Sequence, residues 1–507
     1  MRVLFTAIAF FSFFIAATLV SAGSDAVAQS KACSEATKLE KEGEFTRATA
    51  ILEKALYEDS GKISSAEREK MLFQIERMRR IGIDYSLTAD QLYAQLERGI
   101  KGVTRKEFKK WFREGRFDSR MIDDTLRFVH TSRSNLFFRY PEIAMRRIPP
   151  VDEQKRYEAF LSSCRSIENA ADSLGTPYVL PKEFEVKMEL TAKPGAAVPG
   201  EMIKAWLPIP HGFPYQTGFK LVSSSSKPLE VAPPESPIRS VFMEQAANDD
   251  GSAKFMINYT YETRAVHFNL DPAKAQPYDT SEWIYREYTK QGPNIVFTSK
   301  IKKLSREIVG RETNPVIKAR KIYDWISRNI MYSFAREYST IINISNYCLT
   351  HRYGDCGQEA MLFITLCRYN GIPARWQSGW YFFPGNQDIH DWTEIYVRPY
   401  GWVPVDPYMG ILAMRYMTSL TESQRKEVRD FYFGGLDQYR MSANSDNNQE
   451  LTPPKKFFRS DNVDFQRGEM ETDKANLYFD QWNYNMDIKE LPSAETMKQS
   501  GQGPGCF

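Results

Sequence analysis

A thiol, an imidazole and a carboxylate, the groups of a cysteine nucleophile with an oriented base, occur in that order in the second half of this chain. Cys356 comes first, His390 follows 34 residues later, and Asp406 follows after another 16 residues. In such a set the thiolate attacks a carbonyl, the imidazole moves the proton, and the carboxylate fixes the imidazole tautomer. A single cysteine or histidine is usually structural, so the prediction depends on the local context of each residue.

The context of Cys356 favours a reactive position. Gly354-Asp355 predicts a turn, and residues 357–367 predict a helix that ends before Gly371-Ile372-Pro373. With Asp355 as the N-cap, Cys356 would lie in the first helical turn. The unpaired backbone N–H groups there carry partial positive charge, so we expect them to favour the thiolate.

The other two residues lie beside predicted strands. Residues 392–397 are aromatic and β-branched and predict a strand that starts just after His390. A turn at residues 399–401 leads to a second strand at 402–405, which is followed by Asp406. Because adjacent antiparallel strands lie side by side, we expect His390 and Asp406 to be close together.

These segments resemble the core of the transglutaminase-like superfamily, over about residues 296–415. The resemblance is carried by residues 352–360, 371–375, 390–397 and 401–407, with 322–332 similar to the helix that precedes the nucleophile in bacterial members. It implies a papain-related α+β fold with Cys356 as nucleophile, His390 as base and Asp406 as orienting residue. Asp391 stands where many members carry a small or amide residue, a departure that bears on substrate preference.

The chemistry implied is acyl transfer through a thioester formed from a carboxamide. The backbone N–H of Cys356 is the first candidate donor to the oxyanion. Family members also use a ring donor upstream of the cysteine, and Trp325 and Tyr332 are both candidates for that role.

Two function classes remain open from the sequence. The first is an exported cysteine enzyme acting on proteins or peptides, either a protease or amidase, in which water resolves the thioester, or a cross-linking transglutaminase, in which an amine does so. The second is a non-catalytic envelope binding or scaffold protein that keeps a transglutaminase-like core. The intact set of Cys356, His390 and Asp406 favours the first.

Composition narrows the partners. The 507 residues carry a net charge of +3 and no strong basic cluster, which gives no argument for nucleic-acid binding. The six cysteines are scattered and predict no disulfide framework, and no Cys/His set has zinc spacing, so we predict neither a metal nor a cofactor. The sequence indicates no oligomeric state.

The first 28 residues predict a signal peptide. Arg2 precedes an apolar stretch at residues 3–20, and Ala26-Val27-Ala28 is an A-x-A cleavage pattern. Export to the periplasm or beyond follows from cleavage. The alternative is an uncleaved membrane anchor, since the stretch approaches the length of a bilayer span.

The whole chain is therefore predicted as an α+β multidomain protein. Helical patterns dominate the region that follows the signal peptide, strict alternation such as that of residues 184–190 predicts a β-sandwich, and the papain-like transglutaminase core comes next. The predicted boundaries are 1–28 for the signal peptide, 29–175 for the helical domain, 182–290 for the β-sandwich, 296–440 for the catalytic domain, and 441–507 for a C-terminal extension packing partly on the core.

Overall fold

The computed structural model of the protein describes residues 31–58 and 63–492 and has a mixed α/β fold. The predicted signal peptide, residues 1–28, lies outside the described residues, as do Cys506 and the Gly/Pro-rich end of the chain. The chain divides into two compact units, Met1–Leu72 and Phe73–Phe507. Within the described ranges, no helix combines the length and apolar character that a membrane span requires.

The first unit is helical. The turn between its first two helices contains Gly43, whose φ of 91° is a conformation that glycine adopts without a steric cost. Its helices are α1 (Lys31–Glu42), α2 (Phe45–Glu58) and the start of α3 (Ser65–Asp84), which continues across the division.

The second unit begins with helices and one small hairpin. The helices α4 and α5 each start with a capping box, formed by Thr88 with Gln91 and by Thr104 with Glu107. The hairpin departs from the helical pattern predicted for residues 29–175, because strands of four residues are too short to show a period in the sequence. The elements are α4 (Ala89–Gly99), α5 (Arg105–Arg113), β1 (Ser119–Ile122), β2 (Thr125–Phe128), α6 (Ser132–Arg139), α7 (Pro141–Ala144) and α8 (Gln154–Leu174).

Two five-stranded sheets follow, and their strands show the alternation that the sequence predicts. Along the longest strands, buried and partly exposed residues alternate, as expected when one face of a sheet packs against a core. The strands from this part of the chain are β3 (Tyr178–Ala192), β4 (Met202–Pro208), β5 (Gln216–Ser224), β6 (Glu230–Val231), β7 (Ser240–Ala246) and β8 (Ala253–His267).

The region that carries Cys356, His390 and Asp406 combines a helical layer with a four-stranded sheet in the order β13-β12-β11-β15. Its first elements are α9 (Trp283–Tyr288), α10 (Ser299–Val309), α11 (Pro315–Asn329), β9 (Met331–Tyr332), α12 (Ile344–His351), β10 (Tyr353–Gly354) and α13 (Cys356–Tyr369). They are followed by β11 (Ala374–Phe383), β12 (Asn386–Val397), β13 (Gly401–Val405), α14 (Pro407–Arg415), α15 (Glu422–Phe431), β14 (Gly435–Leu436) and β15 (Arg440–Ser445).

The last strands join the two five-stranded sheets, which share one hydrophobic core and are called the sandwich below. They are β16 (Glu469–Thr472), β17 (Asn476–Leu477) and β18 (Trp482–Glu490). Of the C-terminal strands, β15 pairs with β11, whereas β16 pairs with β4 and β18 pairs with β3. The aromatic composition of Phe457-Phe458 and of residues 477–484 predicts strands in both regions. The second region holds strand residues, but Phe457 and Phe458 lie in an irregular segment.

The sandwich and the four-stranded sheet share a hydrophobic core. Trp380 and Phe382 of β11 pack in the same buried cluster as Phe184 and Met188 of β3 and Tyr259 of β8. Burial of large side chains stabilises by about 1.5–3 kcal/mol each, so this contact holds the sheet bearing His390 firmly against the sandwich.

Candidate active site

Cys356 is the first residue of α13, as the sequence predicts. Asp355 is the N-cap, and its side chain accepts a hydrogen bond from the backbone N–H of Gln358. The rest of α13 is almost wholly buried and fixes the helix in the core. Gly357 is required next to the cysteine, because a Cβ there would lie 2.6 Å from Oδ2 of Asp391 and would also collide with the Tyr338 hydroxyl.

The two strands that carry the imidazole and the carboxylate pair as expected. β12 and β13 are antiparallel, with Thr393 opposite Val405. β12 begins at Asn386, earlier than predicted, so His390 lies within the strand and opposite Gly379 of β11. Asp406 follows β13 directly and is also the N-cap of α14.

The structure brings His390 and Asp406 into direct contact. His390 Nε2 lies 2.8 Å from Asp406 Oδ2, which also accepts a hydrogen bond of 2.8 Å from Nη1 of Arg440. Asp406 Oδ1 accepts from the backbone N–H of Met409 at 3.1 Å. Burial acts to raise the pKa of Asp406, but His390 and Arg440 outweigh it and hold that pKa below the usual value, so the carboxylate is ionised at neutral pH.

Cys356 and His390 line one cavity of about 390 Å³, and Nε2 is the imidazole nitrogen that contacts Asp406. The side chain of Cys356 also contacts Asp391, with Sγ 3.5 Å from Oδ2. A second cavity of about 310 Å³ meets the first at Cys356 and includes Asp391. Cys356 therefore lies at the junction of a two-armed cleft.

The thiol does not show the shift expected from a helix N-terminus. Burial raises the pKa of Cys356 well above its usual value, and the charges of Asp391 and Asp355 add to that effect. The prediction of a position that favours the thiolate was therefore wrong in direction. In the resting site the low dielectric and the acidic neighbours keep the proton on sulfur.

Asp391 belongs to a hydrogen-bonded group that the sequence did not predict. Its Oδ1 accepts from Nε2 of Gln466 at 2.8 Å, and its Oδ2 accepts from the hydroxyl of Tyr338 at 3.2 Å. The same Tyr338 oxygen lies 2.8 Å from Oδ1 of Asp355, so its single proton is shared between two carboxyl acceptors. Gln466 also donates to the backbone carbonyl of His390 at 2.8 Å. This group ties the N-terminus of α13 to β12 and so fixes the separation of thiol and imidazole.

Arg440 is the other residue that sequence reasoning missed. It is 2% exposed, and its guanidinium pairs with Asp437 at 3.2 Å as well as with Asp406 at 2.8 Å. It lies in β15, distant in sequence from the motif segments, and no local pattern marked it. Its contact with Asp406 becomes apparent only when β15 is placed beside β11 in the sheet.

Of the two proposed ring donors, one reaches the cleft. Tyr332 lines both arms beside Cys356, and burial raises the pKa of its phenol well above the usual value, so the hydroxyl keeps its proton. Trp325 lines neither arm and packs against the helical core, where Arg352 lies over its ring. The geometry therefore supports Tyr332 as a donor at this site.

Two buried or partly buried histidines and the remaining described cysteines do not line the cleft. His211 and His267 lie in the sandwich region, where burial lowers the pKa of His211 to about 4. In the described part of the chain, Cys33, Cys164, Cys348, Cys356 and Cys367 form no disulfide bond. Over residues 31–58 and 63–492, no group of three or more His, Cys, Asp or Glu side chains could hold a metal ion.

Comparison with known proteins identifies the region that carries this site. Residues 302–407 match the sequence model of the transglutaminase-like superfamily. An uncharacterized protein of Haemophilus influenzae is 24% identical over 238 residues, which cover 41% of this chain and 63% of that protein. The uncharacterized protein YebA of Bacillus subtilis is 23% identical over 190 residues, covering 33% of this chain and 26% of YebA. This chain thus spans less than two thirds of each relative.

Solved structures give weaker matches. A Cytophaga hutchinsonii protein titled as a candidate cysteine protease has 15% identity and a TM-score of 0.41, covering 62% of this chain and 93% of that one. The periplasmic domain of TgpA from Pseudomonas aeruginosa has 14% identity and a TM-score of 0.24, covering 47% of this chain and 98% of that domain.

Proposed function

We propose that this chain, which carries a transglutaminase-like superfamily domain at residues 302–407, is an exported cysteine enzyme that forms a thioester with a carboxamide of a protein or peptide. The observation that carries the proposal is the cleft that Cys356 lines together with a histidine held by a buried, ionised Asp406. No cofactor takes part in the proposed reaction.

In the first half-reaction, the sulfur of Cys356 attacks the carboxamide carbon while His390 accepts the thiol proton. The carbonyl electron pair moves to oxygen, where the Cys356 backbone N–H and the Tyr332 hydroxyl are the candidate donors. The pair then returns, the C–N bond breaks, and His390 gives its proton to the leaving amine. The product is a thioester and a free amine.

In the second half-reaction, water or an amine attacks the thioester and gives a proton to His390. The C–S bond breaks, and the proton returns from His390 to the sulfur. Water yields a carboxylic acid, which is a protease or amidase reaction, and an amine yields a new amide, which is a transglutaminase reaction. Both products follow from the same residues, so the outcome depends on which acceptor the cleft admits.

The raised pKa of Cys356 means that the thiol must lose its proton during the proposed reaction. Because the thiol is neutral at rest, the proton must move to His390 when the substrate binds, and Asp406 then stabilises the imidazolium. The same observation also supports the alternative of a non-catalytic envelope binding protein, in which the protonated thiol would remain inert. The two functions differ in whether His390 controls the reactivity of Cys356.

The deciding experiment is the rate of Cys356 alkylation by iodoacetamide across pH, resolved by peptide mapping, in the wild type and in His390→Ala. At pH values below about 8.5, the ordinary thiol pKa, we expect His390→Ala to slow labelling of Cys356 by at least about tenfold. His211→Ala is the matched control, since it removes another buried histidine outside the cleft, and it should label as the wild type does. Equal labelling rates in all three proteins would contradict the proposed enzyme function and favour the non-catalytic binding protein.

A product screen separates the enzyme subclasses. Carboxamide peptides are incubated with and without a primary amine, and mass spectrometry distinguishes a gain of acid from a gain of amide. We expect one of the two products with the wild type and neither with Cys356→Ser. Turnover that persists in Cys356→Ser would place the chemistry elsewhere.

The export component rests on residues 1–28 alone. We propose that the mature protein begins at Gln29, after cleavage at the A-x-A pattern. The intact mass of the protein recovered from the periplasmic or extracellular fraction tests this proposal. A mass that retains Met1 in a membrane fraction would favour the uncleaved anchor instead.

A further inference from the structure

The two arms of the cleft differ strongly in charge. The cavity of about 310 Å³, which we name the acidic arm, is lined by Asp355, Asp388, Asp391, Asp461 and Asp464. The other arm is lined mainly by aromatic and apolar side chains, and it contains Arg147 and Arg156. Asp388 borders both arms, and Glu153 lines the second arm beside the arginines, so the carboxyl groups are concentrated in the acidic arm without being confined to it.

The two arginines that line the acidic arm are already occupied. Arg467 makes a two-pronged contact with Glu337 at 2.6 and 3.0 Å, and it also reaches Asp461 at 3.4 Å. The guanidinium of Arg336 lies over the rings of Tyr85 and Tyr347, 5.6 and 5.4 Å from their centroids. Neither arginine pairs with the remaining aspartates of the arm.

Asp464 is the member of the arm that lacks a partner. It is 3% exposed and lines the cavity, yet among the described residues its carboxylate accepts no hydrogen bond and forms no ion pair. Burial raises its pKa well above the usual value, and Asp461 and Asp391 add to the shift. A buried carboxylate without a donor is costly, and a cationic ligand with N–H groups would supply what the protein does not.

We propose that the acidic arm binds a primary ammonium group of the ligand, with Asp464 as the residue that determines this specificity. The inference rests on the proposed function, because it names the chemical class that the same cleft takes. An ammonium has three N–H donors and no acceptor, which matches a cavity whose unpartnered buried group is the carboxyl of Asp464. The positive charge of a bound ammonium lowers the raised pKa of Asp464 and so favours its ionised form. Hydrogen bonds between such charged partners are the strong ones in a water-poor site.

Two sources of that ammonium are consistent with the position of the arm beside Cys356. It belongs either to the carboxamide substrate itself, near the bond that is cleaved, or to an amine that resolves the thioester. In the second case the ammonium first releases one proton to solvent, and its neutral nitrogen attacks the thioester carbon. A second proton then passes from the nitrogen to His390 and on to the sulfur as the C–S bond breaks. The binding chemistry is the same for both, so separate experiments test binding and source.

Binding is measured by titrating the full chain with cadaverine in a calorimeter, with pentanediol as the uncharged probe of similar shape. We expect the wild type to bind cadaverine and not pentanediol, and Asp464→Asn to bind it at least about tenfold more weakly, as loss of a hydrogen bond to a charged group implies. Asp487→Asn is the matched control, since Asp487 is exposed on β18 outside the cleft, and it should bind as the wild type does.

The binding proposal is overturned if the wild type does not bind cadaverine, if pentanediol binds equally well, or if Asp464→Asn binds as tightly as Asp487→Asn. Calorimetry needs no turnover, so its outcome is independent of the alkylation test. If cadaverine binds but Cys356 is unreactive, the proposed enzyme activity is contradicted and the proposed binding site is supported. If Cys356 is reactive but cadaverine does not bind, the binding site is contradicted and the enzyme activity is supported.

The source is found with a pair of carboxamide peptides that differ only in whether their amino groups are free or acetylated. Reaction of the free peptide alone assigns the ammonium to the substrate. Incorporation of cadaverine into the acetylated peptide assigns it to the acceptor. Equal hydrolysis of both peptides with no incorporation, unchanged in Asp464→Asn, would contradict a role for the acidic arm in recognition.

Discussion

Replacing Asp406 with asparagine tests the geometry of the site most directly. Asp406 is fully buried. Its Oδ2 lies 2.8 Å from both His390 Nε2 and Arg440 Nη1, and its Oδ1 accepts a hydrogen bond of 3.1 Å from the Met409 N–H. Asparagine has the same shape but only one oxygen, so its NH₂ group must face at least one of these donors. The change therefore removes the countercharge of the imidazolium without removing volume.

The expected size of the effect follows from the contacts. A hydrogen bond to a charged group contributes about 1.5–3 kcal/mol, and each 1.4 kcal/mol is about tenfold. If this stabilisation of the His390 imidazolium is lost, alkylation of Cys356 near neutral pH should slow by roughly ten- to a hundredfold. Breaking a buried ion pair also lowers the free energy of unfolding by about 3–5 kcal/mol. We expect a loss at the lower end of this range, because Arg440 retains its ion pair with Asp437.

Asp437→Asn is the matched control. Asp437 contacts the same buried arginine at 3.2 Å and the hydroxyl of Tyr432 at 3.0 Å. It should therefore destabilise the protein by a similar mechanism while changing Cys356 alkylation by less than about threefold. Wild-type alkylation in folded Asp406→Asn, or equal slowing in both variants, would refute the role of Asp406 as the partner of His390.

The pH dependence of stability gives a second readout of the same substitution. The pKa of Asp406 is lowered in the folded state, so its contribution is fully present above the unfolded value of 3.8 and is lost as the pH falls through the folded value. Urea unfolding should show a constant difference between the wild type and Asp406→Asn near neutral pH. The difference should shrink below about pH 4, and a difference that grows in acid would contradict the assigned ionisation.

Three further substitutions test separate contacts. Asp391→Asn should move the pH profile of Cys356 alkylation to lower pH, because a negative charge 3.5 Å from the sulfur disfavours the thiolate; no shift or an upward shift would contradict this cause. Tyr332→Phe should lower kcat for the best peptide by at least about tenfold with little change in KM, as loss of an oxyanion donor does, and an unchanged kcat would leave the backbone N–H as the donor. Gly379→Ala should destabilise the fold by about 1–3 kcal/mol in urea unfolding, because the new Cβ would collide with the Met441 carbonyl; wild-type stability would mean that β15 can move away from β11.

The sequence predicted those parts of the site that depend on neighbouring residues. The N-cap at Asp355, the start of a helix at Cys356 and the pairing of two adjacent strands are local features, and the structure shows each of them. Local backbone preferences act over a few residues, so turn, cap and alternation signals are readable without the fold. The contact of His390 with Asp406 follows from that pairing.

The sequence was less informative about ionisation. The helix terminus alone predicts a lowered pKa for Cys356, whereas burial and two aspartates raise it. Burial depends on how all layers pack, and Asp391 acts on the thiol only because Gly357 allows the close approach of β12 to α13. Desolvation and charge at short range outweigh a helix dipole, whose effect is typically below about 1 kcal/mol.

The sequence by itself therefore determined the order and the local setting of Cys356, His390 and Asp406. Only the tertiary structure decided what surrounds them. Arg440 contacts Asp406 because β15 pairs with β11 in the same sheet. Asp464 and Gln466 lie in an irregular segment between β15 and β16, which has no sequence periodicity. Such contacts join residues far apart in the chain, and they form because the shared core fixes distant segments against one another, which no local pattern encodes.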